Sequence, residues 1–203
     1  MTTIVELNVP DKAQHQLNRA LATFVESYDG PRRLLIVYYC GHSAYDEGGL
    51  MLVPSRISDF RHRNIRCNWS KADAILRDDY VEGDVLVIMD TYFPASAARA
   101  GAPRSSTIED GKNDRKYELL AASGEDDSTS SGTNSFTCSL IDASKALVDE
   151  YAGSPFTTFH LNQRINVDPR RRNTLSRLIS LSRPQERHIL LCPLKPAEQP
   201  PVM

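Results

Sequence analysis

Two short runs constrain this chain more than anything else in it: RLLIVYYC at Arg33 to Cys40, and DVLVIMD at Asp84 to Asp90. Each is too short and too rich in β-branched and aromatic residues for a helix, and each is apolar on both faces. Strands covered on both sides, as in a parallel sheet, read this way. Helical patterns separate them. Ala13 to Tyr28 carries Leu17, Leu21, Phe24, Val25 and Tyr28 at three- and four-residue steps, and Asp29-Gly30-Pro31 stops it. Ser70 to Arg77 predicts a short helix with Ala72, Ile75 and Leu76 inward. Ser135 to Tyr151 predicts a longer one with Phe136, Leu140, Ile141 and Leu147 inward, and Thr157 to Ile165 another short one. Thr3 to Val9 reads as an edge strand, Gly48 to Val53 as a small hairpin, Lys116 to Ala122 as a third strand and Arg187 to Leu194 as a last one. Strands alternating with helices imply an α/β sandwich with a mostly parallel central sheet, whose ligand and catalytic groups belong at the carboxyl ends of the strands.

Composition excludes several alternatives. Apolar residues are 40% and charged residues 25% of the chain, so a core can form and wholesale disorder is not expected. A net charge of −2 gives no field that would mark nucleic acid or an acidic membrane as a partner. Cys40, Cys67, Cys138 and Cys192 show no C-x-x-C spacing, which argues against structural zinc and a disulfide scaffold. The longest apolar run falls far short of the roughly 18 residues of a membrane helix. The start MTTIVELNVP shows no secretory pattern, so a cytoplasmic, reducing setting is expected. The chain reads as one domain over residues 1–196, with loops at 103–114 and 124–134 and a Pro-rich tail at 197–203.

Four segments, in order along nearly the whole chain, carry a resemblance. YYCGHS (Tyr38 to Ser43) resembles the catalytic-histidine motif Y-Y-x-G-H-G of caspase-like peptidases. DVLVIMDTYFPASAAR (Asp84 to Arg99) resembles their second motif, a strand ending D-x-C before small residues. ELLAASGEDDSTSSGTNSFTCSLIDAS (Glu118 to Ser144) resembles E-L-L-A-A-C-G, a variable loop and S-F-T-x-x-L. HILLCPL resembles the last strand. His42 and Tyr92 stand about 50 residues apart, the interval between histidine and cysteine in caspases. The chain therefore resembles a caspase-like, metacaspase-related domain of fungal type. The resemblance implies a three-layer caspase-like sandwich, cysteine-type endopeptidase chemistry after Arg or Lys, and an allowance for calcium. No other cofactor is implied.

The pattern breaks at its centre. The resemblance assigns His42 to the base, and assigns the attacking thiolate to the position that Tyr92 occupies here. A phenol with a pKa near 10 cannot take over from a thiol. Thr91 and Pro94 depart from the family as well. A pseudoenzyme is expected. His42 is then either a relic that hydrogen-bonds Tyr92 or a strand-end histidine kept for packing, and the second reading is favoured. Asp90 matches the acidic residue lining the pocket for a basic side chain, and equally suits a turn cap. Ser43 stands where a glycine contributes an N–H to the oxyanion hole, and keeps that N–H. Cys40, two residues before His42, would share its strand face and could substitute as nucleophile, although a small buried residue is the commoner fate. Cys67 reads as surface, and Arg170 to Arg172 as a solvated basic loop.

The family's first strand and helix are missing ahead of Thr3. A truncated gene model, a shortened paralogue, or a partner that supplies a strand would each account for this. The preferred expectation is a non-catalytic binding or regulatory module, with protein or peptide partners such as an active caspase-like relative. A dimer is allowed, and cell death or self-recognition is the implied setting. The alternatives are an active cysteine endopeptidase with a non-standard nucleophile and an unfolded gene remnant.

Overall fold

A computed structural model describes residues 2–7, 12–46, 49–53, 66–91, 98, 115–123, 135–182 and 187–193. Residues 2–7 form no strand, although Thr3 to Val9 predicts one; Val9 and the end of that segment lie outside the described residues. Among the described residues no sheet edge pairs with the segment. Leu7 instead packs on the core, and Gln16 Nε2 donates to the Glu6 carbonyl at 2.6 Å. Helix α1 (Ala13–Tyr28) follows the predicted span, with Leu21 buried and Leu17, Phe24, Val25 and Tyr28 packed against the core. Its end is fastened by Asp29, whose carboxylate accepts from the Glu82 and Gly83 amides at 2.9 Å each.

Strand β1 (Leu34–Cys40) is followed at once by β2 (His42–Asp46), which forms a hairpin with β3 (Gly49–Val53); β3 pairs in turn with the two-residue β4 (Cys67–Asn68). Helix α2 (Trp69–Leu76) is capped by the Asn68 side chain. Strand β5 (Asp84–Asp90), strand β6 (Tyr117–Ala121), helix α3 (Phe136–Glu150) and β7 (Phe156–Thr157) come next. Helix α4 (Thr158–Asn166), a 3-10 turn at Pro169–Arg171, β8 (Arg177–Ser180) and β9 (Leu190–Leu191) complete the order.

The central sheet runs β1-β5-β6-β8, parallel among the first three and antiparallel at β8. This is a mixed α/β fold with a mostly parallel sheet and helices on both faces. Val85, Val87 and Met89 face a core with Leu21, Trp69 and Leu76, hence α1 and α2. Leu86 and Ile88 alternate onto the other face, with Phe136, Leu147 and Leu161 of α3 and α4.

Four readings of the sequence change. Burial on both faces holds for β5 and β6, whereas β1, at the edge of the sheet among the described residues, has alternating burial: Ile36 is 47% and Tyr38 43% exposed. Ile141 points outward at 46% exposure, because α3 turns its Phe136, Ala143 and Leu147 face to the sheet. The last strand shrinks to β9, paired with β7 in a ribbon of its own, and β8 takes the sheet position beside β6. Among the cysteines, Cys40 is exposed at the carboxyl end of β1 and Cys67 is buried in β4 beside Leu52 of β3, the reverse of the expectation. Burial pushes the Cys67 thiol up to about 11. The loops at 103–114 and 124–134 and the tail at 197–203 lie outside the described residues.

Candidate functional site

Parallel strands end at one rim of the sheet, and the chemistry-bearing residues gather there. The β1–β5 register sets Cys40 beside Asp90, and the Gly41 amide donates to the Asp90 carbonyl at 3.1 Å. One strand further on, the Ala122 amide donates to the Met89 carbonyl at 2.9 Å, which brings Ala122 and Ser123 to the same rim. Phe136 begins α3 after the Ser135 cap, so Thr137 sits in its first turn, over the rim.

Asp90, 8% exposed, is the centre of a hydroxyl relay. The Thr137 hydroxyl donates to Asp90 Oδ2 at 2.5 Å. The Tyr38 hydroxyl lies 2.7 Å from Thr137 Oγ1 and 3.3 Å from the same Oδ2. With the threonine proton committed to the carboxylate, the tyrosine proton serves threonine. Both contacts use Oδ2, so Oδ1 stands outside the relay. Burial first, and the Asp90 charge after it, hold the Tyr38 phenol well above its ordinary pKa, so it stays protonated and can donate.

Arg171 is the residue the sequence did not mark. It is completely buried, not solvated. Its Nη2 donates to the Ala122 carbonyl, and the guanidinium lies 5.6 Å from the Phe136 ring centroid. Nε and Nη1 are buried with no hydrogen-bond partner among the described residues. Burial lowers its pKa while the charges of Asp90 and Asp168 raise it; an arginine remains charged across that range. The neighbouring Arg170 behaves differently. It clasps Asp168 at 2.5 Å and Asp142 at 2.7 Å, and its hydrogen bonds hold the Asp168 carboxyl well below the ordinary carboxylate value. Thr91, also completely buried at this rim, has an Oγ1 with no partner among the described residues.

His42 does not continue β1. The chain bends at Gly41, and His42 opens β2 opposite Val53, in a different sheet. Cys40 and His42 therefore lie on different strands, and strand parity does not put them on one face as the sequence predicts. The bend is braced by the Tyr39 hydroxyl, which donates to the His42 carbonyl at 2.7 Å. A Cβ at position 41 would meet that hydroxyl at 2.7 Å, which explains the glycine. Ser43, 6% exposed, pairs with Leu52. Tyr92 and Pro94 lie outside the described residues.

The rim thus joins Tyr38, Cys40, Asp90, Thr137, Ala122 and Arg171. It can offer a carboxylate oxygen and an exposed thiol backed by a buried cation. Among the described residues no group of His, Cys, Asp and Glu could hold a metal ion, and no helix is long and apolar enough to cross a membrane. Tyr38 and Cys40 could have been placed with Asp90 by strand parity and register. Thr137 stood inside a quoted motif without a role. Nothing in the sequence separates Arg171 from Arg170 and Arg172 beside it.

No protein-family model matches the chain, and a search of curated proteins finds none similar to it.

Proposed function

We propose that this chain is a caspase-like domain that has lost its nucleophile and works by binding. It would be a regulator or scaffold for an active caspase-like relative, or a decoy for its peptides, in a cytoplasmic cell-death or self-recognition setting. One observation supports the reading above all. The segments Tyr38 to Ser43, Asp84 to Thr91, Glu118 to Ser123 and the start of α3, which carry most of the resemblance, meet at one rim, joined by the Gly41–Asp90, Ala122–Met89 and Thr137–Asp90 hydrogen bonds. Tyr92 follows two residues after Asp90 in the sequence, where the resemblance requires cysteine. Asp90 Oδ1 is the group for a basic peptide side chain, through a charge-assisted hydrogen bond.

The test pairs wild type with Tyr92→Cys on arginyl and lysyl fluorogenic peptides, with and without calcium. Silence in wild type and thiol-dependent turnover in the variant is the expected result. Wild-type cleavage that disappears in Cys40→Ala would replace this reading with an active endopeptidase, for which the exposure of Cys40 at the rim is the favouring observation. Silence in both, with neither binding to nor effect on an active relative, would overturn the regulatory reading.

A further inference from the structure

Strand β1 has one edge on β5, and no strand pairs with the other among the described residues. Seven residues, LLIVYYC, present that edge. Natural edge strands are blunted by lysine, proline, bulges or brevity. This one has no charge, proline or glycine, and its register with β5 runs unbroken from Leu34 to Cys40. Its outer side chains are apolar too, with Ile36 47% and Tyr38 43% exposed on one face.

The strand is complementary to itself. In an antiparallel pair about a twofold axis through Val37, perpendicular to the sheet, Val37 meets its own copy and Leu35 meets Tyr39. Ile36 meets Tyr38, and Leu34 meets Cys40. This register engages all seven residues and keeps each face on its own side. It sets a β-branched residue against an aromatic at both half-exposed positions, the kind of cross-strand pair that stabilises sheets. No charged residue lies within it, and Arg33, just outside, meets the uncharged Gly41.

We infer that β1 is a homodimerisation edge, along which two copies join antiparallel about Val37 into one continuous eight-stranded sheet, β8-β6-β5-β1-β1-β5-β6-β8. The interface is isologous and closes, so it stops at two copies. The inference stands apart from the peptidase reading, since the pairing needs neither Tyr92 nor a ligand on Asp90.

The register supplies its own test. Leu34→Cys places a thiol opposite the partner's native Cys40, on the same face. Under oxidising conditions that variant gives a disulfide-linked dimer on a non-reducing gel, and Leu34→Cys with Cys40→Ala does not. By light scattering after gel filtration, the wild-type chain has twice its 22.7 kDa mass. Ile36→Lys, which puts an unpaired charge on the edge, halves that mass while the circular dichroism spectrum is kept. A wild-type chain that is monomeric at its highest attainable concentration overturns the inference. So does a dimer that survives Ile36→Lys while the Leu34→Cys variant forms no cross-link. If Ile36→Lys fails to fold, the cross-linking pair of variants decides alone.

Discussion

The central sheet carries a buried carboxylate near each end, and the two are treated differently. Near the amino ends of the strands, Glu118 on β6 is 2% exposed and both its oxygens are used. Thr158 donates to Oε2, joined weakly by the Ile189 amide at 3.4 Å, and His188 Nδ1 lies 2.7 Å from Oε1. His188 in turn stacks on Phe159 at 5.3 Å. That carboxylate clasps α4 and the segment before β9 to the sheet. At the carboxyl rim, among the described residues, Asp90 is bonded through one side-chain oxygen only, and Arg171 beside it keeps two nitrogens without partners. Buried polar groups are ordinarily satisfied, so the Glu118 carboxylate, used through both oxygens, reads as structure, and the Asp90 carboxylate beside the partly unpartnered Arg171 is the candidate for function.

Substitutions can break that contrast. Glu118→Ala has the largest expected effect, a loss of about 3 kcal/mol, because the buried Thr158 hydroxyl and Ile189 amide lose their acceptor and the half-exposed His188 loses its partner. Asp90→Asn costs about 1 kcal/mol or less, since an amide oxygen still accepts from Thr137, yet it abolishes capture of arginyl peptides by Tyr92→Cys. Urea denaturation of both variants checks the ranking; equal losses would erase the distinction between the two ends. Arg171→Met falls between them at about 2 kcal/mol, and a double-mutant cycle with Asp90→Asn should show coupling of about 1 kcal/mol. Additivity would separate the buried cation from the carboxylate.

A further effect is alkaline. The Cys67 thiol ordinarily titrates near 9.0 and is raised to about 11 in the fold. The folded chain therefore holds that proton longer than the unfolded one. The associated stability is complete below 9 and is lost as the pH climbs through about 11. Melting temperatures recorded from pH 8 upward should fall less steeply for Cys67→Ala than for wild type.

The legible parts of this molecule were those written in periodicity. Helix α1 shows its stripe at Leu17, Leu21 and Phe24, and β5 shows its unbroken apolar run; both lie where the sequence predicts them. Strand β1 looks the same in sequence as β5 but, among the described residues, has a neighbouring strand on one side only, which composition does not reveal. Strand β8, RLIS, is short and half polar, so its pattern is lost among turns. At the site, Asp90 and Cys40 stand at the strand ends where the sequence predicts them, whereas the bend at Gly41 that moves His42 into another sheet was not foreseen. Nor was Arg171, because burial of a charge depends on Phe136 and Ala122, which come from other elements. The expected separation between His42 and Tyr92 falls on a residue outside the described ones.

The parallel register of β1 on β5 has a kinetic side. Leu34 pairs with Asp84, so the first contact of the central sheet must close a long loop. The β2–β3 hairpin, by contrast, joins residues as near as Asp46 and Gly49. Closure entropy orders these events, with the hairpin forming early and the parallel sheet late. Until β5 arrives, both edges of Leu34 to Cys40 lie open on the growing chain. The time a nascent copy spends alone in that state sets how much of it is lost to aggregates before its own sheet is complete.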